Sequence, residues 1–241
     1  MDGDRQPLPD VETSSAGYAQ RFAGPVGAFF LATQTRLVLQ LLADHPGASV
    51  LDVGGGHGQL AGPLSEAGFA VTVLGSAPVC AERLRSLVDA GRVRFETGDL
   101  LKTPFGDKSF DVVLAFRLLP HVVAWRALVA ELCRVARRAV IVDYATAKSV
   151  NALAGAGFEA KRSVEGNTRP FLVLGDGDVA DAFATAGFAV SAAERQFFWP
   201  MALHRALGSA GLSRTLEAAA GALGLTRALG SPVILHAEPR G

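Results

Sequence analysis

The sequence predicts an α/β fold built on a doubly wound, mostly parallel sheet of seven strands, with helices on both faces. Strand and helix candidates alternate along the chain, which is typical of parallel strands joined by right-handed crossovers. A glycine-rich turn directly follows the first strand candidate. Apolar residues make up 49% of the 241 residues and charged residues 19%. A large core is therefore expected, and wholesale disorder is excluded.

Five strand candidates lie in the first 144 residues. They are 48–53, 70–74, 92–96, 110–116 and 139–144. The last two are almost uninterrupted apolar runs, as expected for strands covered on both faces. In 92–96, by contrast, Val93 and Phe95 alternate with charged residues, which predicts an edge strand. The pattern predicts a Rossmann-like sheet with its switch point beside strand one.

The remaining chain is divided as follows. Residues 1–17 are polar, without the basic start and apolar stretch typical of a signal peptide, and are expected to be disordered; 18–241 are expected to form one domain. Within it, 18–47 are predicted to be N-terminal helices, 48–144 the ligand-binding core, and 145–241 the substrate-determining part. Further helices are predicted at Gln59–Ala67, Pro78–Ala90, Val122–Val135 and Val179–Ala186, with one or two over Met201–Leu229. The last strands are predicted at 189–199 and 232–238.

Composition excludes several classes of function. Lys plus Arg equals Asp plus Glu at 23 each, so the basic surface of a nucleic-acid-binding protein is not expected. No apolar run reaches the roughly 18 residues of a membrane span. Two cysteines, Cys80 and Cys133, are too few for a disulfide scaffold or a zinc knuckle. We expect a cytoplasmic protein, monomeric or homodimeric. Its 19 Arg against 4 Lys suggest a GC-rich, bacterial genome.

The sharpest local signal is VLDVGGGHGQL, residues 50–60. Gly54, Gly56 and Gly58 follow a strand and open a helix, where glycine permits positive backbone torsions and close approach of a ligand. The carboxyl end of a central strand is also where open α/β sheets bind ligands. Three interpretations compete: the acid-first form Asp52–Gly58, the G-x-G-x-x-A dinucleotide pattern of Gly56–Ala61, and a purely structural turn.

Later residues favour the acid-first interpretation. Gly98-Asp99-Leu100 follows the third strand, then come FGDKSFDVV (105–113), Pro120-His121-Val122 and Glu131. As an ordered set, these residues resemble the type-11 domain of class I S-adenosylmethionine-dependent methyltransferases, the branch of the ubiquinone and menaquinone methyltransferases. The resemblance covers roughly residues 18–144. It implies S-adenosyl-L-methionine as cofactor, S-adenosyl-L-homocysteine as product, and a small, partly apolar molecule as substrate.

The resemblance also implies roles for individual residues. Asp52 complements the cofactor's positive charge, the three glycines receive its methionine portion, and Asp99 and Leu100 bracket adenine. The other implied cofactor contacts are Tyr18, Arg21 and Phe116, although Tyr18 and Arg21 are also compatible with an ordinary helix surface.

One position departs from the family pattern. Relatives usually carry an acid at the end of strand two, where it accepts hydrogen bonds from the ribose hydroxyls, but this chain has Gly75. One or two charge-assisted hydrogen bonds of about 1.5–3 kcal/mol each would be missing. Ser76 or an ordered water is the expected substitute. The departure also leaves open a non-catalytic descendant of the fold.

Methyl transfer needs positioning and proton removal but no catalytic metal. His121, just past strand four, is the predicted general base, and its alternative role is packing at the start of a helix. Oxygen is the expected acceptor because a histidine base suits a hydroxyl, while nitrogen and carbon stay open as alternatives. Predicted substrate contacts are Arg117, Tyr144, Phe198 and His204. Residues 165–171 are open to two interpretations, a mobile lid and a surface loop.

A dinucleotide oxidoreductase is the rival. Tyr144 and Lys148 have the Y-x-x-x-K spacing of short-chain dehydrogenases, in which tyrosine donates a proton. However, Tyr144 is predicted to lie on the end of strand five, whereas the catalytic tyrosine of those enzymes lies within a later helix. The T-G-x-x-x-G-x-G pattern of that family is also missing from the sequence.

Overall fold

The computed structural model describes residues 9–150, 152 and 171–241. Seven strands form one sheet in the order β3-β2-β1-β4-β5-β7-β6. β1 to β5 pair in parallel, and β7 is antiparallel to both β5 and β6. The strands are β1 Ser49–Val53, β2 Ala70–Gly75, β3 Val93–Thr97, β4 Phe110–Ala115, β5 Ala136–Tyr144, β6 Phe188–Arg195 and β7 Val233–Pro239. This confirms the predicted fold class and the switch point beside β1.

Ten helices accompany the sheet in the described part of the chain. They are α1 Pro9–Thr13, α2 Ala16–Gln20, α3 Gly24–Leu41, α4 Ala61–Glu66, α5 Arg85–Asp89, α6 Trp125–Val135, α7 Asp176–Thr185, α8 Met201–Leu207, α9 Ala210–Ala222 and α10 Leu225–Leu229. The predicted helix 78–90 is instead a 3₁₀ helix, Pro78–Leu84, followed by α5. Three helices occupy 201–229, because Gly208 and Gly224 adopt positive φ between them.

The two faces of the sheet carry separate apolar clusters. Val113, Val140 and Val142 pack with α6 and α7, whereas Val112 and Ile141 pack with α3 and α4. Neighbouring residues of one strand enter different clusters because side chains alternate across a strand. β3 follows the edge pattern: Val93 is buried, and its charged neighbours are exposed.

The N-terminal segment differs from expectation. Residues 1–17 are predicted to be disordered, but α1 and the start of α2 lie within 9–17. Ser15 caps α2 by accepting from the Tyr18 backbone N–H at 3.1 Å, and the Asp10 carboxylate is fully buried. A tertiary partner therefore orders a polar segment that lacks an apolar periodicity. Residues 1–8 lie outside the described residues.

Residues 151 and 153–170 also lie outside the described residues, and with them most of the predicted lid. At its borders, Thr146 and Leu174 form an isolated parallel bridge. Among the helices described, none combines the length and the apolar character needed to cross a membrane.

Candidate functional site

The glycine loop lies at the carboxyl end of β1. Gly54 and Gly58 adopt left-handed torsions, with φ of +73° and +70°, on either side of a short 3₁₀ turn. At Gly56, a Cβ atom would lie 2.2 Å from Ser14 Oγ and 2.6 Å from the Cys80 carbonyl oxygen. The loop is therefore a bare stretch of backbone that tolerates no side chain at its centre.

Asp52 lies beneath this loop without a partner. Its side chain is fully buried, and neither carboxylate oxygen has a hydrogen-bond partner. Burial, with a smaller contribution from the buried Asp143, raises the pKa of Asp52 to about 7. An unpaired carboxylate in such a place is costly unless a positive charge compensates it. These residues fit a cationic ligand such as a sulfonium or ammonium group.

The end of β2 explains why the expected acid is missing there. A Cβ atom on Gly75 would lie 2.7 Å from Cys80 Cβ and 2.8 Å from Phe95 Cζ, so an acidic side chain has no room at this position. A carboxylate nevertheless reaches the strand end, because Ser76 donates to Asp10 through its backbone N–H at 2.7 Å and its hydroxyl at 2.6 Å.

Asp10 was missed by the sequence analysis. It is separated from Ser76 by 66 residues and falls in the segment expected to be disordered. The available signal was Pro9 followed by Asp10 and Glu12, because proline and acids favour the first turn of a helix. That signal identifies a helix but not the place where the helix docks.

Helix α1 fills the crevice between the glycine loop and β2. Ser14, just past α1, lies against Gly56, and the Asp10 Cβ atom lies 3.5 Å from the position of a Cβ on Gly54. The Ser14 hydroxyl donates to the Asp10 carbonyl oxygen at 2.6 Å. A nucleoside can therefore occupy this crevice only if α1 moves away.

The other predicted cofactor residues fall into two groups. Asp99 is exposed near the carboxyl end of β3, where it accepts from the Leu101 N–H at 2.8 Å. Leu100 and Phe116 instead have their side chains in the two apolar clusters. Phe116 is fully buried in its cluster, and its contact with the methyl-donor end stays a prediction.

A mainly apolar cavity of about 1010 Å³ lies beside the glycine loop, at the carboxyl ends of β4 and β5. It brings together five residues singled out by the sequence. They are Tyr18, Arg21, Arg117, His121 and Tyr144. The cavity is of the size and character of a small-molecule site. Tyr18 and Arg21, predicted to contact the cofactor, line this cavity.

Arg117 is held rigidly at the cavity wall. Its φ of +57° is unusual for a residue other than glycine. Its guanidinium donates to Gln59 Oε1 at 2.8 Å and Gln34 Oε1 at 2.7 Å, and lies 4.1 Å from the centre of the Phe22 ring. Backbone strain that is maintained by surrounding contacts is common at functional sites.

Positive charge is concentrated around the same cavity. Arg205 also lines the cavity, and its pKa is lowered by burial and by the nearby charges of Arg21 and Arg117. Glu12 lies 3.7 Å from Arg21, and Asp143 lines the cavity close to Arg117, so these two carboxyl groups compensate part of the positive charge. The remaining positive charge suits a ligand that carries an acidic group.

His121 ends the 3₁₀ turn Leu119–His121, and its ring centre lies 5.5 Å from that of Phe171 across the cavity.

Tyr144 lies at the end of β5, as predicted. Its hydroxyl donates to Asp176 Oδ1 at 2.9 Å, and burial together with Asp176 raises the pKa of Tyr144. A dehydrogenase tyrosine needs the opposite shift, so this contact argues against the Y-x-x-x-K interpretation.

Phe198 and His204 do not line the cavity. His204 is fully buried, its Nε2 atom is 2.9 Å from Glu217 Oε1, and its ring packs against Phe29 and Phe30. The Phe198 backbone N–H donates to the same glutamate. Glu217 holds His204 in a structural role, which corrects its predicted substrate contact. The Phe198 side chain is half-buried, and its substrate contact stays a prediction.

Comparison with known proteins agrees with this geometry. Residues 50–139 match the family described as "Methyltransferase domain". An O-methyltransferase of Pyrenophora dematioidea is 30% identical over 129 residues, which cover 50% of this chain and 48% of that protein. The O-methyltransferase cnsE of Penicillium expansum is 34% identical over 117 residues, covering 45% and 42%. The chain thus spans about half the length of these curated relatives.

A solved structure gives the same result for the fold. Magnesium protoporphyrin IX methyltransferase from Synechocystis, crystallised with S-adenosylhomocysteine, has a TM-score of 0.63 at 19% identity over 94% of this chain and 96% of that one. Residues 50–139 are thus similar to a methyltransferase domain, and the chain has the fold of class I S-adenosylmethionine-dependent methyltransferases. Both curated relatives are fungal, so the expected bacterial origin stays a prediction.

Proposed function

We propose that this protein transfers the methyl group of S-adenosyl-L-methionine to a hydroxyl oxygen of a small, partly apolar acceptor that carries an acidic group. The observation that carries the proposal is Asp52, which is buried and unpaired beneath a glycine loop that has no room for a side chain at Gly56. A cationic ligand on the loop would compensate this carboxylate. The match of residues 50–139 to methyltransferases supports the same ligand.

The proposed roles fall in two adjoining spaces, the crevice at the glycine loop and the cavity. In the crevice, Asp52 and the backbone of Gly54–Gly58 would hold the cofactor, which supplies an electrophilic methyl group when bound. In the cavity, Arg117 and Arg205 would orient the acidic group of the acceptor, and apolar residues would exclude water. Positioning of this kind accounts for much of the rate enhancement in group transfer.

His121 is the proposed general base. It would accept the hydroxyl proton as the oxygen–carbon bond forms, and S-adenosyl-L-homocysteine leaves as the sulfur–carbon bond breaks. An oxygen acceptor agrees with the names of both curated relatives. Proton removal by a placed side chain typically contributes about 10²–10⁴ in rate.

Helix α1 adds a conformational step. In the closed form seen here, Asp10 and Ser14 occupy the crevice, so the cofactor-binding form is one with α1 withdrawn. The apparent affinity of the protein for the cofactor is then reduced, because molecules that remain closed do not bind it.

Radiolabelled S-adenosyl-L-methionine with a panel of small phenols and hydroxy acids, each beside its amine analogue, tests the proposal. Label transfer to the hydroxyl compounds, with the highest kcat/KM for those bearing a carboxylate, is expected. Transfer to amines alone would refute the oxygen assignment. The filled crevice also favours a second candidate, a non-catalytic binding protein, which would bind acceptors without transferring label to any of them.

A further inference from the structure

A cluster of potential metal ligands lies near the amino end of β1, whereas the glycine loop follows the carboxyl end of that strand. His45 follows α3 and precedes the amino end of β1, whereas His236 and Glu238 lie on β7. One potential ligand atom from each residue lies within 4.8 Å of the others. Residues two apart on a strand point to the same face, so the two β7 side chains both face the α3 side, where Ile234 packs.

Both imidazoles are buried with a nitrogen left unpaired. His45 and His236 are 5% and 7% exposed, and His45 Nδ1 and His236 Nε2 have no hydrogen-bond partner. A buried nitrogen without a partner calls for an explanation, such as an ion.

Ser191 contacts His236 at two atoms. Its hydroxyl oxygen lies 2.6 Å from His236 Nδ1 and 3.3 Å from the His236 carbonyl oxygen. When the hydroxyl donates to the carbonyl oxygen, it can accept from Nδ1–H, and this tautomer leaves Nε2 unprotonated, as a metal ligand must be. Metal-ligating histidines are commonly oriented by such a second hydrogen bond. Ser191 reaches this place because the β6–β7 register shifts between Val190 and Ala192, as at a β-bulge.

The charges around the cluster are nearly balanced. Asp44 and Arg138 flank His45, and the Arg138 guanidinium donates to the Asp44 carbonyl oxygen at 3.3 Å. Glu238 adds one negative charge and is half-buried. Two imidazoles and one carboxylate suit zinc better than magnesium or calcium.

We propose that His45, His236 and Glu238 bind one zinc ion, with water in the fourth position. Tetrahedral bonds of about 2.1 Å place ligand atoms roughly 3.4 Å apart, so binding would draw together three atoms that now lie within 4.8 Å of one another. The site would join the α3–β1 connection to the C-terminal strand. It lies outside the methyltransferase machinery and does not depend on the proposed function.

Competition between the untagged full-length protein and a chromophoric chelator, titrated with zinc chloride, tests the site. One zinc per chain is expected, with a rise in melting temperature that magnesium chloride does not reproduce. His45→Ala and His236→Ala should abolish this uptake. Ser191→Ala should weaken it by about 10–100-fold, and His121→Ala, which removes a histidine outside the cluster, should leave it unchanged.

Two results would overturn the proposal: no zinc uptake by the wild-type protein, or equal affinity in His45→Ala. Should the core variant His236→Ala fail to fold, Glu238→Gln provides the same test at a half-buried position. Equal affinity in Glu238→Gln and the wild type would contradict the carboxylate ligand.

Discussion

Replacement of Asp10 by alanine tests the closed form directly. The Asp10 carboxylate accepts two hydrogen bonds from Ser76, at 2.7 and 2.6 Å, and hydrogen bonds to a charged group are typically worth about 1.5–3 kcal/mol each. The two bonds share one acceptor group, and their donors bind water in the open form. Asp10→Ala is therefore expected to destabilise the closed form relative to the open form by about 2–4 kcal/mol. Each 1.4 kcal/mol changes the closed-to-open ratio about tenfold.

Asp10→Ala should therefore bind S-adenosyl-L-homocysteine more tightly than the wild type, by about tenfold or more, until the open form predominates. Isothermal titration calorimetry measures this change. Glu12→Ala is the matched control, since Glu12 lies on the same helix, is also acidic, and contacts Arg21 at 3.7 Å instead of β2. A tenfold weaker affinity in Asp10→Ala would refute the reasoning and assign Asp10 to the ligand itself.

Three further outcomes are expected. Burial raises the pKa of Asp52 to about 7, so the Asp52 carboxyl group holds its proton more tightly in the folded protein than in the unfolded chain. The contribution of Asp52 to the free energy of unfolding therefore falls as pH rises from about 4 to about 7. Asp52→Asn should lose this dependence and melt at a higher temperature than the wild type at pH 8; superimposable pH profiles would contradict the assignment. His121→Ala should lower kcat by about 10²–10⁴ while calorimetry shows unchanged S-adenosyl-L-homocysteine affinity, and full activity would exclude the base role. Arg205→Gln should raise KM for acceptors with a carboxylate more than for neutral ones in a steady-state assay, and an equal rise for both would argue against charge recognition.

The sequence predicted the sheet well because hydrophobic patterning determines which strands are central. Unbroken apolar runs in β4 and β5 indicate burial on both faces, whereas the alternating pattern of β3 indicates burial on one face. The observed strand order agrees, with β4 and β5 inside the sheet and β3 at its edge. The glycine loop was also predictable, since positive φ at Gly54 and Gly58 restricts the residue type.

Contacts between distant segments were not predictable in the same way. Asp10 reaches Ser76, and His45 reaches His236, through tertiary packing that leaves no local spacing pattern. Phe198 and His204 lie in an aromatic stretch whose composition is compatible with a pocket wall and with core packing. The contact with Glu217 determines which of the two roles His204 has.

The most direct test of the whole account is calorimetry with S-adenosyl-L-homocysteine and NADPH side by side, on the wild type, Asp10→Ala and Gly56→Leu. The account predicts one S-adenosyl-L-homocysteine per chain in the first two proteins, none in the third because a side chain at Gly56 has no space, and no binding of NADPH. Binding of NADPH, or no binding of S-adenosyl-L-homocysteine even when Asp10 is removed, would contradict it.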